Sequence, residues 1–144
     1  AVCRGLFVGV SVSLLVLFFV PLKIYSPLVL IYFSVLSCSF MGLLGLISGI
    51  WASKFDHIAA ITNFIVTPLS LLSGTFYSIT ILPENFYIIS QLNPFFYMID
   101  GFRFSMIGYA DSNIYVGGAI LLILNIVLYC ITILMLKSGF KLKA

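Results

Sequence analysis

The sequence predicts an all-α membrane protein, and three observations lead to this fold class. Hydrophobic residues make up 62% of the 144 residues and charged residues 8%, whereas soluble domains average roughly 45–50% and about 25%. The few charges divide the chain into apolar blocks at residues 5–22, 24–53, 57–83 and 112–136. Each block is long enough for one helix across ~30 Å of hydrocarbon, which takes about 20 residues. We therefore predict four membrane-spanning helices.

The predicted helices cover about residues 5–21, 27–51, 58–80 and 114–136. The first follows Arg4 and ends at Pro21, and the second lies within the uncharged stretch 24–53. The third block carries a lone histidine and contains Pro68, which should free a backbone carbonyl and kink the helix. The fourth lies between the last acidic residue and the lysine-rich C-terminus.

Small and polar residues form a stripe on the third predicted helix. Their 4-3-4-4 spacing places them within ~80° on one helical face. Two interpretations are open: hydrogen bonding between packed helices, or the wall of a translocation path. With the proline in the middle of this helix, the candidate residues are Asn63, Thr67, Pro68, Ser70, Gly74 and Ser78.

The segment between the third and fourth predicted helices is rich in aromatic residues, which a freely solvated loop would not expose. We predict a helical hairpin at about residues 83–110. Pro83 begins its first helix, which runs to about Gln91, and Asn93 caps the second, with Pro94 at the favoured first position. Rings and a few charges together favour an interfacial or re-entrant hairpin. Within it, Asp100 and Arg103 are three residues apart and are predicted to pair.

The basic residues predict the orientation of the chain. If the C-terminus is cytoplasmic, the positive-inside rule is followed, because five of the seven basic residues then lie inside. Those five are Arg4, Lys54, Lys137, Lys141 and Lys143, while Lys23 and Arg103 lie outside. The predicted hairpin is then external.

Several kinds of chemistry are missing from the sequence. It has no phosphate-binding glycine loop, no nucleophile with a neighbouring base, and no cysteine or histidine spacing that suits a metal. Basic residues are scattered, so nucleic-acid binding has no support. We expect a chain that is not an enzyme and binds no metal or cofactor. Any transport would take its energy from a partner.

The order of several motifs resembles a known family. Residues 67–78 read TPLSLLSGTFYS, Leu82-Pro83 follows, and residues 92–103 read LNPFFYMIDGFR before one last helix. This succession is similar to the ABC-2-type exporter permeases, in their bacterial multidrug and polysaccharide export branch. The resemblance covers essentially the whole chain, as helices three to six of a six-helix permease.

The resemblance implies a function and partners. Two permeases, identical or closely related, would pair in the bacterial inner membrane. Separate ATP-binding subunits would carry ATP and Mg, and the pair would expel an amphipathic drug, lipid or lipid-linked glycan. The hairpin would form the outer gate, for which the candidate residues are Pro83, Glu84, Asn93, Pro94, Tyr97, Asp100, Gly101 and Arg103. We also expect the family's first two helices and most of its coupling helix to precede Ala1.

Two other functions remain open from the residues. One is a non-transporting membrane subunit that anchors a complex, with the hairpin as a docking platform. The other is a small channel or an ion-coupled carrier. Flux driven by protons or sodium without ATP would indicate the carrier, and a neighbouring gene for an ATP-binding protein would favour the exporter.

Overall fold

The computed structural model describes residues 2–19, 24–52, 55–74 and 83–138, and within these ranges it is helical without strands. The helices are α1 (Val2–Leu17), α2 (Pro27–Trp51), α3 (Phe55–Ile61), a π-helical turn (Thr62–Val66), α4 (Thr67–Leu71), α5 (Glu84–Leu92), α6 (Pro94–Ile107) and α7 (Ile114–Lys137). Lys23, Lys54, Lys141 and Lys143 lie outside the described residues.

Helices α2, α6 and α7 pack against one another and form the core. The core side chains are Phe33, Phe40, Phe95, Met98 and Leu121. Helix α1 packs on α2, and α4 and α5 each contact α6. The hairpin helix α6 is therefore an integral part of the bundle.

Two of the described helices, α2 and α7, are long and apolar enough to cross a membrane. Helix α2 begins with Pro27 at its first turn, where a missing N–H costs nothing. At the start of α7 the Asn113 side chain accepts a hydrogen bond from the Tyr115 N–H, and Lys137 lies in the last turn. The helix bounds lie within one residue of the predicted spans 27–51 and 114–136. Helix α1 has 16 described residues.

The third predicted helix, at about residues 58–80, differs from the structure over its described part, residues 58–74, while residues 75–80 lie outside the described residues. Thr67 donates its N–H to the Thr62 carbonyl, five residues back, so the hydrogen bonds slip by one residue just before Pro68. Pro68 has no N–H to offer, which favours such a π-helical turn beside it. Helix α4 then ends at Leu71, and Gly74 adopts a left-handed φ of 77° that glycine adopts without strain.

Candidate functional site

Helix α6 runs antiparallel to α2 along much of its length. At one end the N–H groups of Tyr25 and Ser26 donate to the Ser105 carbonyl at 2.9 and 3.1 Å. At the other end the rings of Phe40 and Phe95 meet edge to face, with centroids 6.2 Å apart. Phe40 lies ~20 Å along α2, which is ~37 Å long at 1.5 Å per residue. The junction between α5 and α6 therefore lies beyond the midpoint of α2.

Asn93, at this junction, caps two helices at once. Its side-chain Oδ1 accepts from the Phe95 N–H at 3.0 Å, which satisfies a free donor at the start of α6. Its Nδ2 donates to the Leu69 carbonyl at 2.6 Å. That carbonyl belongs to the last turn of α4 and has no partner within the helix. Asn93 is 3% exposed, so both groups are removed from solvent.

Two more hairpin side chains donate to the backbone where α4 ends. The Ser90 hydroxyl donates to the Leu72 carbonyl at 3.1 Å, and Ser90 is fully buried. Arg103 donates through Nη2 to the Gly74 carbonyl. Backbone carbonyls that are buried beyond the end of a helix need hydrogen-bond donors. The hairpin supplies them here.

The predicted pair of Asp100 with Arg103 is wrong. Arg103 forms its ion pair with Asp111, with 2.8 Å between Nη1 and Oδ2. The Asp111 side chain is fully buried and that of Arg103 is 20% exposed. Helical spacing permits the predicted pair, but the turn before α7 offers a carboxylate to Arg103 and backbone N–H donors to Asp100.

The Asp100 side chain accepts hydrogen bonds from the backbone of the turn before α7. Its carboxylate accepts from the N–H groups of Asp111 and Ser112 at 2.8 and 2.9 Å, and from the Ser112 hydroxyl at 2.6 Å. Charge-assisted bonds of this kind are about twice as strong as neutral ones. Asp100 is 1% exposed, and these donors offset the cost of burying its charge. We call the set Ser90, Asn93, Asp100, Arg103, Asp111 and Ser112 the capping network.

Four other residues of the predicted gate either pack closely against neighbouring helices or stand at helix starts. A Cβ added to Gly101 would lie 2.1 Å from Cδ1 of Phe33, so α6 approaches α2 closely there. Tyr97 packs against Gly117 of α7, where an added Cβ would lie 2.9 Å from the ring. Pro94 occupies the first turn of α6, and Pro83 immediately precedes α5. The side chain of Glu84 lies outside the described residues.

The stripe predicted on the third helix is divided. Asn63 and Thr67 are exposed, whereas Gly74 is buried in the turn after α4. The Thr67 hydroxyl donates to the Thr62 carbonyl at 3.0 Å, and Ser70 accepts from the Ser73 hydroxyl through its carbonyl. Ser78 lies outside the described residues. The π-helical turn and the helix end replace the single face.

Sequence reasoning missed three members of the capping network. Ser90 carries no motif, and its role depends on where α4 ends. Asp111 and Ser112 carried a usable signal, because an acidic residue and a serine just before the α7 cap are typical of a turn with local hydrogen bonds. Among the described residues, no group of three or more histidine, cysteine, aspartate or glutamate side chains could hold a metal ion.

The described residues form an all-α bundle with two long apolar helices and buried polar caps. The sequence profile of the ABC-2 type transporters matches residues 1–107. The chain belongs to this family.

A relative in Escherichia coli strain K12, the inner membrane transport permease YadH, is 38% identical over 138 residues. The match covers 96% of this chain and 54% of that protein. Proteins of the same name from Escherichia coli O157:H7 and Shigella flexneri match with the same identity and coverage. The chain thus spans about half the length of the curated relatives it matches. No solved structure gives a significant match.

Proposed function

We propose that this chain is part of a permease subunit of an ATP-driven exporter in the bacterial inner membrane. Membership of the ABC-2 type transporter family and the relatives named as inner membrane transport permeases support this function. The permease pairs with a second copy or a closely related chain. ATP and Mg bind a separate ATP-binding subunit, and the paired permeases expel an amphipathic substrate.

The hairpin α5–α6 is the outer gate and re-enters the membrane. The observation that carries this proposal is the double cap of Asn93, which joins the end of α4 to the start of α6. The junction lies ~20 Å along α2, more than half of that helix. A hairpin that only rested on the membrane surface would not reach this depth. The exposed Asn63 and Thr67 line the path on the cytoplasmic side of the gate.

Transport itself is tested with the full-length permease and its ATP-binding subunit in inverted membrane vesicles. We expect ATP-dependent accumulation of some fluorescent amphiphiles, and none with an ATP-binding subunit that cannot hydrolyse ATP. Accumulation driven by a proton or sodium gradient without ATP would indicate an ion-coupled carrier instead. A complex that assembles but moves no amphiphile would favour an anchoring subunit.

The orientation is tested by cysteine labelling after replacement of the native cysteines. Tyr109, in the turn after α6, and Lys137, at the end of α7, are both exposed. Tyr109→Cys should react with a membrane-impermeant maleimide added outside cells. Lys137→Cys should react after the membrane is permeabilised. The reverse pattern would contradict the proposed cytoplasmic C-terminus.

A further inference from the structure

A groove of about 410 Å³ lies between α2 and α6. Ligand pockets commonly enclose about 300–1,000 Å³, so the groove is large enough for part of a small ligand. Three of its five lining residues are apolar, and the other two are a serine and an arginine. The lining residues are Ser37, Met98, Ile99, Phe102 and Arg103. The capping network uses Arg103, but the other four residues have no part in it.

The charged lining residue, Arg103, lies towards one end of the groove. Arg103 lies between Gly101, which packs on Phe33, and Ser105, which bonds the backbone just before α2. The charged group is thus near the outer end of α2. Ser37 lies ~15 Å along α2 from its first residue. A phospholipid in the same leaflet has the same order, with its charged head outside and its chain towards the midplane.

Arg103 has donors left for a ligand. A guanidinium carries five N–H donors, and the described residues bind it through one contact to Asp111 and one to the Gly74 carbonyl. Arg103 lines the groove and its side chain is 20% exposed, whereas the side chain of Asp111 is fully buried. The planar guanidinium fits the oxygens of a phosphate group. We propose that the groove holds one acyl chain of a membrane phospholipid, with the lipid phosphate on Arg103.

This proposal rests on the proposed position of the hairpin inside the membrane. It is tested with the full-length permease in vesicles that contain phosphatidylglycerol with a photoactivatable diazirine in its acyl chain. We expect adducts on the peptide that contains Met98, Ile99 and Phe102. A diacylglycerol with the same chain should label this peptide about fivefold less, the factor expected when a contact worth ~1 kcal/mol is lost.

Variants separate the groove from the capping network. Ser37→Phe fills the groove without touching the network, and it should reduce labelling by phosphatidylglycerol. Val35→Phe adds similar bulk at an exposed position on α2 outside the groove, and it should leave labelling unchanged. Arg103→Gln should reduce labelling by phosphatidylglycerol to the level of diacylglycerol. Because this change also breaks the ion pair with Asp111, Asp111→Asn, which breaks the same pair and keeps the guanidinium, should retain the difference between the two lipids.

Three outcomes would overturn the proposal. Equal labelling by the two lipids would show a hairpin in the bilayer without a phosphate site. If the α6 peptide is not labelled and Ile99→Cys forms a disulfide with the same position of a second copy, a second copy covers the groove. If α2 and α7 are labelled, α6 is not, and no such crosslink forms, the hairpin lies outside the bilayer. This result would contradict the proposed gate as well.

Discussion

Replacing Asn93 by alanine removes two buried hydrogen bonds with one substitution. Loss of the cap on the Phe95 N–H should cost about 1 kcal/mol. Loss of the bond to the Leu69 carbonyl leaves a buried acceptor unpaired, at a further cost of about 1–3 kcal/mol. At about 3 °C per kcal/mol, the thermal midpoint in detergent should fall by about 6–12 °C. With the ATP-binding partner present, ATPase activity should persist while transport falls.

Asn113→Ala is the matched control for this experiment. Asn113 caps α7 with the same geometry, a bond of 3.0 Å from the Tyr115 N–H, but it is exposed and caps one helix. Its loss should cost about 1 kcal/mol, or about 3 °C. Asn93→Ser keeps a cap for α6 and lacks the donor to the Leu69 carbonyl. Its thermal midpoint should therefore fall by an amount between those of Asn93→Ala and Asn113→Ala. Equal midpoints for Asn93→Ala and Asn113→Ala would refute the idea that Asn93 ties α4 to the hairpin.

Three further predictions follow from the same contacts. In a double-mutant cycle on thermal stability, Arg103→Gln and Asp111→Asn should couple by more than about 1 kcal/mol, because Arg103→Gln leaves the fully buried Asp111 carboxylate without its cation. Additive effects would show that the ion pair contributes nothing. Gly101→Ala should lower the free energy of unfolding by about 1–3 kcal/mol, because the added methyl overlaps the Phe33 ring, and Phe33→Leu should restore part of this loss. An unchanged stability in Gly101→Ala would mean that α6 and α2 are less tightly packed. Asn63→Leu, at an exposed position, should change stability by less than about 0.5 kcal/mol and should reduce transport; unchanged transport would remove Asn63 from the path.

The features that the sequence predicts well depend on residues that are close together along the chain. Helices α2 and α7 follow from long uncharged blocks between turn residues. Asn93 and Pro94 mark a helix start through the dihedral angles and hydrogen bonds that these two residue types favour, and α6 begins there. The end of α4 was missed because a proline permits several outcomes. A kink, a π-helical turn and a helix end are all compatible with Pro68.

The partners of the charged residues depend on contacts far apart in the chain. Asp100 and Arg103 are well spaced for a pair on an isolated helix. In the folded chain Arg103 also reaches Gly74, 29 residues away, and Asp100 reaches the turn at Ser112. Local spacing carries no information about which backbone groups remain unpaired when α4 ends and α7 begins.

Unpaired backbone groups explain why the hairpin and α4 form one unit. An interrupted helix in lipid exposes carbonyls that water cannot reach, and each unpaired group costs several kcal/mol. The hairpin supplies donors to three carbonyls at and just after the end of α4, those of Leu69, Leu72 and Gly74. A movement that separated the hairpin from α4 would break all three bonds together, unless other donors replaced them. We therefore expect a gate that moves with the end of α4 as a rigid body, rather than a hairpin that swings alone.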